Sequence, residues 1–399
     1  MANVLTPVDV YAIVNEMVHQ ATGQQNLRAV DTTTFVTVGE TLLRTGTENT
    51  LNALGNVLGP TRFSVRPYQG KLDIMRVDDQ RWGAMTRKIV PLSRDAEAST
   101  AYNTDIAPTQ LADGQSIDHY VINKPKALQL NFCGSKLVQN HITRFVDQLY
   151  GAFRNEEEFA LFVESYMSEY ENDIEQQNEE KRRALVLNAI AGVYDMGLTV
   201  VDLAAEYNSH YGTAYTRADL LSTYLDSFMK FTASRIKVDS NRLTDRTSLY
   251  HANLSAYAPI LHHTPKARQK MLMYGPFFTE AEANVYSGLF NPQYLDIGKF
   301  EAVNFWQAQD HPEEINVKPN ILNVNTGSTQ DAAAAVNLEY VLGILFDEEA
   351  LAFNEQFYMA SATPLNSAGL YWNIYNHSRF NDLCDFTENM IVYVIGDGT

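Results

Sequence analysis

The periodicity of residues 155–191 constrains this chain more than any other feature. Phe159, Phe162, Val163, Tyr166, Met167, Tyr170 and Ile174 recur at three- and four-residue steps, and the pattern continues through Leu185 and Ile190 to Gly192. That spacing lays one apolar stripe along an α-helix. Asn155 with Glu158 reads as a capping box at its start, and Gly192 as its stop. About 36 residues at 1.5 Å each make a rod of roughly 54 Å. A helix of that length with so narrow a stripe serves as a spine over which other elements lie.

Over 156–180 the spine carries ten Asp or Glu and no Lys or Arg. Like charges one turn apart cost a few tenths of a kcal/mol each, so a positive partner is favoured. Segment 62–94 has the opposite character: Arg62, Arg66, Lys71, Arg76, Arg81, Arg87, Lys88 and Arg94 stand against three Asp. A basic ribbon from an adjacent copy would complement the acidic helix. The candidate contacts are Arg62, Arg66, Lys71, Arg76, Arg81 and Arg87 on the ribbon, and Glu157, Glu164, Glu169 and Asp173 on the helix. Phe63, Tyr68 and Trp82 are interleaved with the arginines, as single-strand binders require, and a merely solvated hairpin is a third reading. A net charge of −18 argues against a protein whose main task is gripping phosphates.

At 399 residues the chain exceeds a single core, so two or more domains or large excursions are expected. Thr6-Pro7 opens an N-terminal helix whose Val8, Tyr11, Val14, Met17 and Val18 recur at helical spacing; Val8 and Tyr11 are further contact candidates. A second helix is expected over 35–58. Alternation through Phe63 and Val65, and then Leu72, Ile74, Met75 and Val77, predicts a strand pair. Residues 93–116 hold few large apolar side chains and read as an exposed loop or arm tip. Beyond them the expectations are a strand at 126–132, helices at 139–152, 216–231 and 280–288, and strands at 270–274, 302–306, 340–346 and 390–395. No secretory leader and no membrane span are expected. Cys133 and Cys384 are too few and too isolated for a disulfide framework, which suits a reducing compartment.

The chemistry-bearing motifs are sparse. There is no phosphate-cradling loop, no nucleophile elbow and no paired-histidine zinc motif. His262 and His263 are adjacent and point apart, so they read as loop histidines. Asp347, Glu348 and Glu349 follow an apolar run. They could bind a metal or act as acid and base in an α+β enzyme; solvated acids at a helix start are the plainer reading.

The order of elements is N-terminal arm, basic two-stranded excursion, spine helix, mixed domain and final core strand. It resembles the Hong Kong 97 fold of tailed-phage major capsid proteins, an α+β fold. The tail from Ala368 through Tyr371, Trp372, Asn373, Tyr375 and His377 to Val392, Tyr393 and Asp397 is similar to the closing segment in the phi-29 group of small podoviruses. The resemblance implies an arm over 1–60, an extended loop over 61–130, a peripheral domain over 131–215 and an axial domain over 216–370. Residues 371–399 would then return to the peripheral domain with the final strand. It implies a subunit that self-assembles into pentamers and hexamers of an icosahedral shell, made in the host cytoplasm and located in the virion. Expected partners are a portal, a scaffolding protein and weakly held double-stranded DNA, with no membrane. No catalytic residue, cofactor or metal is assigned, and no lysine is given a cross-linking role. The phi-29 group's additional immunoglobulin-like module is not expected here. The alternatives are an encapsulin-like nanocompartment shell of the same fold and, from another class, the acidic enzyme.

Overall fold

The computed structural model describes residues 7–23, 27–44, 70–76, 85–92, 100–101, 109–122, 124, 126–133, 136–145, 156–255, 257, 259–277, 279 and 297–397. The chain divides into two compact units, each assembled from separate stretches of sequence. The first comprises Met1–Trp82, Ser135–Arg183 and Phe353–Asn381; the second comprises Gly83–Gly134, Ala184–Ala352 and Asp382–Thr399.

In the first unit, helices α1 (Pro7–Thr22) and α2 (Thr32–Arg44) pack against each other through shared apolar stripes. Val10, Ile13, Val14, Met17 and Val18 of α1 are buried with Phe35, Val38 and Leu42 of α2, and with Phe159 and Trp372. Burial of each large side chain contributes about 1.5–3 kcal/mol. The turn between the helices is fixed by Asn15, whose amide donates to the Ala29 carbonyl (3.1 Å) and whose carbonyl accepts from the Ala29 N–H (2.6 Å). Asp31 caps α2 by accepting from the Thr34 N–H at 2.8 Å. The bonds from Thr34 hold the Asp31 carboxyl below the usual carboxylate range.

The same unit holds a three-stranded antiparallel sheet. Strand β3 (Lys136–Phe145) pairs with β9 (Tyr371–Cys384) in a register that sets Ile142 opposite Ile374, and β8 (Leu351–Ala362) is the other edge. The spine, α3 (Glu156–Asp195), is one 40-residue helix that starts in the first unit and ends in the second.

The second unit is built on a five-stranded mixed sheet. Its order is β4 (Val200–Asp202), β10 (Met390–Val394), β7 (Val341–Asp347), β5 (Gln269–Tyr274) and β6 (Lys299–Val303). Every residue of β5 and β7 is buried, as expected of central strands covered on both faces. Helices α4 (Leu203–Tyr211) and α5 (Leu225–Arg242) belong to this unit, as does the hairpin of β1 (Met85–Pro91) with β2 (Ala127–Cys133). No helix among the described residues is long and apolar enough to cross a membrane.

Several sequence expectations are corrected. Residues 139–145 are strand rather than helix, because Val138, Ile142 and Thr143 are β-branched and pair with Ser378, Ile374 and Asn373; residues 146–152 lie outside the described residues. Leu72 to Met75 do not alternate. Leu72 takes a left-handed conformation (φ 81°), Asp73–Met75 is a 3-10 turn, and both Leu72 and Met75 are buried. The spine runs past Gly192 to Asp195, and Gly197 (φ 63°) follows its end. Gly192 is there for packing, since a Cβ would collide with the Phe386 ring. The 216–231 helix is two pieces: Thr216 and Asp219 form a capping box for Arg217–Leu220, and α5 begins at Leu225. Helix α2 is described to Arg44; the Asn155 cap, the strands expected near Phe63 and the 280–288 helix lie outside the described residues.

Candidate assembly interface

The acidic run of the spine finds part of its counter-charge in its own unit. Glu175 accepts from the Gly70 N–H (3.3 Å) and from Arg182 Nη2 (3.2 Å), and Arg183 Nη2 bonds Glu179 at 2.6 Å. Arg182 is 1% exposed, with Nη1 3.6 Å from Asp73 and its guanidinium 5.7 Å from the centre of the Phe353 ring. Lys181 lies 4.4 Å over the Phe380 ring, and burial draws its pKa down. These cations, Lys181 to Arg183, begin at the residue after the acid-only run ends. They were visible in the sequence, and a strict window ending at Glu180 missed them. Asp173 and Glu180 remain exposed.

In the second unit, the basic excursion is anchored at its base. Lys88 of β1 bonds Asp385 at 2.6 Å and also contacts Glu388, both carboxylates being buried. His262 Nδ1 stands 3.6 Å from Glu388, and its ring meets that of His251 edge-on at 5.1 Å. His251 is itself fixed by the Ile260 carbonyl and the Asn389 side chain, each at 2.9 Å. Burial pushes Glu388 up to about 7 against the pull of Lys88, and pushes His262 down to about 4 with help from His251 and Lys88. The pair of carboxylates holds Lys88 above its ordinary value in spite of burial. Around the network, Val90, Leu128 and Leu130 of the hairpin are buried with Leu254 and Ile260. The β1–β2 hairpin at the base of the excursion thus packs on a small core of the second unit.

A family model described as Phi29-like phage major capsid protein matches residues 11–394. The chain belongs to that family. No curated protein matches it by sequence. Among solved structures, it is similar to a chain in the capsid structure of Staphylococcus phage Andhra, at TM-score 0.54 and 9% identity, covering 84% of this chain and 86% of that one. A chain in the capsid structure of Cyanophage P-SCSP1u follows at TM-score 0.43 and 9% identity, covering 86% and 94%. The fold is the Hong Kong 97-like α+β fold of tailed-phage capsids, and the protein is a shell-forming subunit of a structural family.

For this capsid subunit, the contact candidates fall in different places. Lys71, Arg76 and Arg87 are exposed, as is Asp173. Segment 70–76 lies against α3 within the same unit through the Gly70 and Asp73 contacts above, and Arg76 bridges to Phe353. Arg62, Arg66 and Arg81 lie outside the described residues, as do the side chains of Glu157, Glu164 and Glu169. Val8 is 73% exposed, whereas Tyr11 packs on Phe35 at 6.3 Å and Val14 is fully buried, so these two serve the chain's own cluster. Sequence reading also missed an apolar surface on the excursion: Tyr120, Val121 and Ile122 are 89%, 62% and 80% exposed.

The three acids at the end of β7, Asp347 to Glu349, are held by partners of their own. Asp347 accepts from the Glu349 N–H at 2.9 Å, Glu348 lies 3.4 Å from Lys270, and Glu349 pairs with Arg268. Among the described residues, no group of three or more His, Cys, Asp or Glu could hold a metal ion. Cys384 is a free thiol, and desolvation pushes it up to about 12.

Proposed function

We propose that this chain forms, without chemistry of its own, the pentamers and hexamers of an icosahedral shell around the double-stranded DNA of a tailed phage. The family match over residues 11–394 carries this reading. It is synthesised in the host cytoplasm and ends in the virion, with a portal and a scaffolding protein as further partners. The excursion reaches a neighbouring copy through exposed Lys71, Arg76 and Arg87 and through the apolar Tyr120 to Ile122 stretch. The neighbour answers with its acidic spine, of which Asp173 is an exposed member. Many modest contacts suffice, because avidity accumulates over a closed lattice. A wall of net charge −18 holds packaged DNA weakly.

Electron microscopy of the expressed protein, alone and beside a scaffold, tests the reading. Closed shells are expected; monomers and small oligomers under every condition would overturn it. The charge pairing has its own test. Reversing Arg76 and Arg81 to Glu is expected to block assembly of a folded subunit, and reversing Glu164 and Glu169 to Lys in the same chain to restore it. Unimpaired assembly of the first variant rejects the pairing and leaves the capsid reading standing.

A further inference from the structure

One turn of the excursion joins an aspartate to an unshielded main-chain nitrogen. Residues 112–122 are all exposed. Within them, residues 112–115 close a turn, the Gln115 N–H donating to the Ala112 carbonyl at 3.0 Å. Gly114, at the third position, has φ 79°, which glycine takes without strain and which marks a type II turn. Gln115 adds a second tie, its side-chain carbonyl accepting from the Ala112 N–H at 3.2 Å. Nothing packs over the turn. A Cβ placed on Gly114 would meet no atom within 4 Å, and the Gly114 N–H has no hydrogen-bond partner among the described residues.

The Asp113 carboxyl carbon and the Gly114 nitrogen are close enough along the chain for their union to close a small, unstrained ring, and such intramolecular proximity multiplies a rate. Among the described residues, Asp113 is the one Asp followed by a described Gly. Asp226 and Asp239 precede serines inside helix α5, where the nitrogen is crowded by a side chain and tied into the helix. The turn at 113–114 imposes neither restriction. In the ring closure the N–Cγ bond forms and a Cγ–O bond breaks, the oxygen leaving as water with the Gly114 N–H proton and a carboxyl proton. Water then opens the cyclic imide. Attack at Cγ restores aspartate, whereas attack at the main-chain carbonyl leaves isoaspartate, with the chain rerouted through Cβ and Cγ and longer by one atom. No oxidant, reductant or reactant other than water enters.

We propose that Asp113 is a site of spontaneous isoaspartate formation in the folded subunit, and that the two ties of Gln115 set its rate by holding the turn closed. Ring closure needs the peptide between Asp113 and Gly114 to rotate towards the carboxyl. The closed turn resists that rotation, and local opening of so exposed a segment permits it. The site is independent of how the subunit assembles. The test incubates the full chain in neutral buffer and follows isoaspartate in the peptide that carries both Asp113 and Asp118, by methyltransferase labelling and fragmentation mass spectrometry. Asp118, exposed and accepting from the Tyr120 N–H at 2.9 Å, precedes His119 and is the internal control. Asp113 is expected to convert at least tenfold faster than Asp118, and Asp113→Glu to abolish the signal at its position. Gln115→Ala, which removes one tie, is expected to raise the rate about threefold. Equal conversion at the two aspartates overturns the site, and so does conversion that occurs only in the urea-unfolded chain. An unchanged rate in Gln115→Ala overturns the restraint by Gln115.

Discussion

The two sheets of this subunit solve different problems. The five-stranded sheet of the second unit hides both faces of β5 and β7, and even the irregular strand end is tied in, with Trp306 Nε1 donating to the Val341 carbonyl at 2.7 Å. The three-stranded sheet of the first unit hides one face and leaves aromatic and histidine side chains on the other. The difference separates side chains wholly committed to the fold from side chains that stay half-exposed in the single subunit. Stability measured on an unassembled subunit should therefore respond to the first sheet's buried face and to the whole of the second sheet, and hardly at all to the open face.

The largest expected effect comes from the fully covered strand. Phe346 is completely buried in β7, between Met390 and Lys270 of the flanking strands. Phe346→Ala removes its packing and leaves a cavity, and should cost about 3–5 kcal/mol in denaturant unfolding. Tyr375→Ala on the open face loses two ring contacts and little buried area, so about 0.5–1.5 kcal/mol is expected. A loss at Tyr375 as large as that at Phe346 would break the distinction between the sheets. A small loss with impaired assembly would sharpen it.

How much of this was legible in the sequence follows from the same distinction. The buried strands at 270–274, 340–346 and 390–395 were read correctly to within a residue or so, because continuous apolar runs such as VLGILF admit few alternatives. The spine was legible for its length, and its end was misplaced because a glycine reads as a stop when nothing tells that Phe386 packs on it. Strand β3 was read as helix because one covered face leaves only every second residue apolar, and Val138, Ile142 and their polar neighbours fit either period over so short a run. The acidic spine was read as awaiting a partner. Part of the answer lay in the three residues directly after the window, Lys181 to Arg183, and part came from distant segment 70–76, which no local pattern connects to it. The Lys88 network joins positions nearly 300 residues apart and had no sequence signature at all.

That network also gives the smallest expected effect, one that comes from cancellation. Glu388, raised to about 7 from 4.5, faces Lys88, Asp385 and Asp347; His262, lowered to about 4 from 6.5, faces His251, Lys88, Asp385 and Glu349. A raised carboxyl favours the folded state below pH 4.5, and that contribution fades as pH rises through 7. A depressed imidazole does the reverse: its contribution is present above pH 6.5 and fades as pH falls through 4. Between about pH 4.5 and 6.5, folding thus places on Glu388 the proton that it takes from His262, and the two slopes oppose each other. Urea unfolding of the wild-type subunit should be nearly flat with pH in that window as far as this pair is concerned. His262→Gln leaves Glu388 alone, so stability should fall by up to about 1.4 kcal/mol per pH unit as pH rises from 4.5 towards 7. Glu388→Gln leaves His262 alone and should give a slope of opposite sign. Two variants with slopes of the same sign, or with the wild-type profile, would show that the two groups do not exchange a proton on folding, and the network would reduce to the ion pair between Lys88 and Asp385.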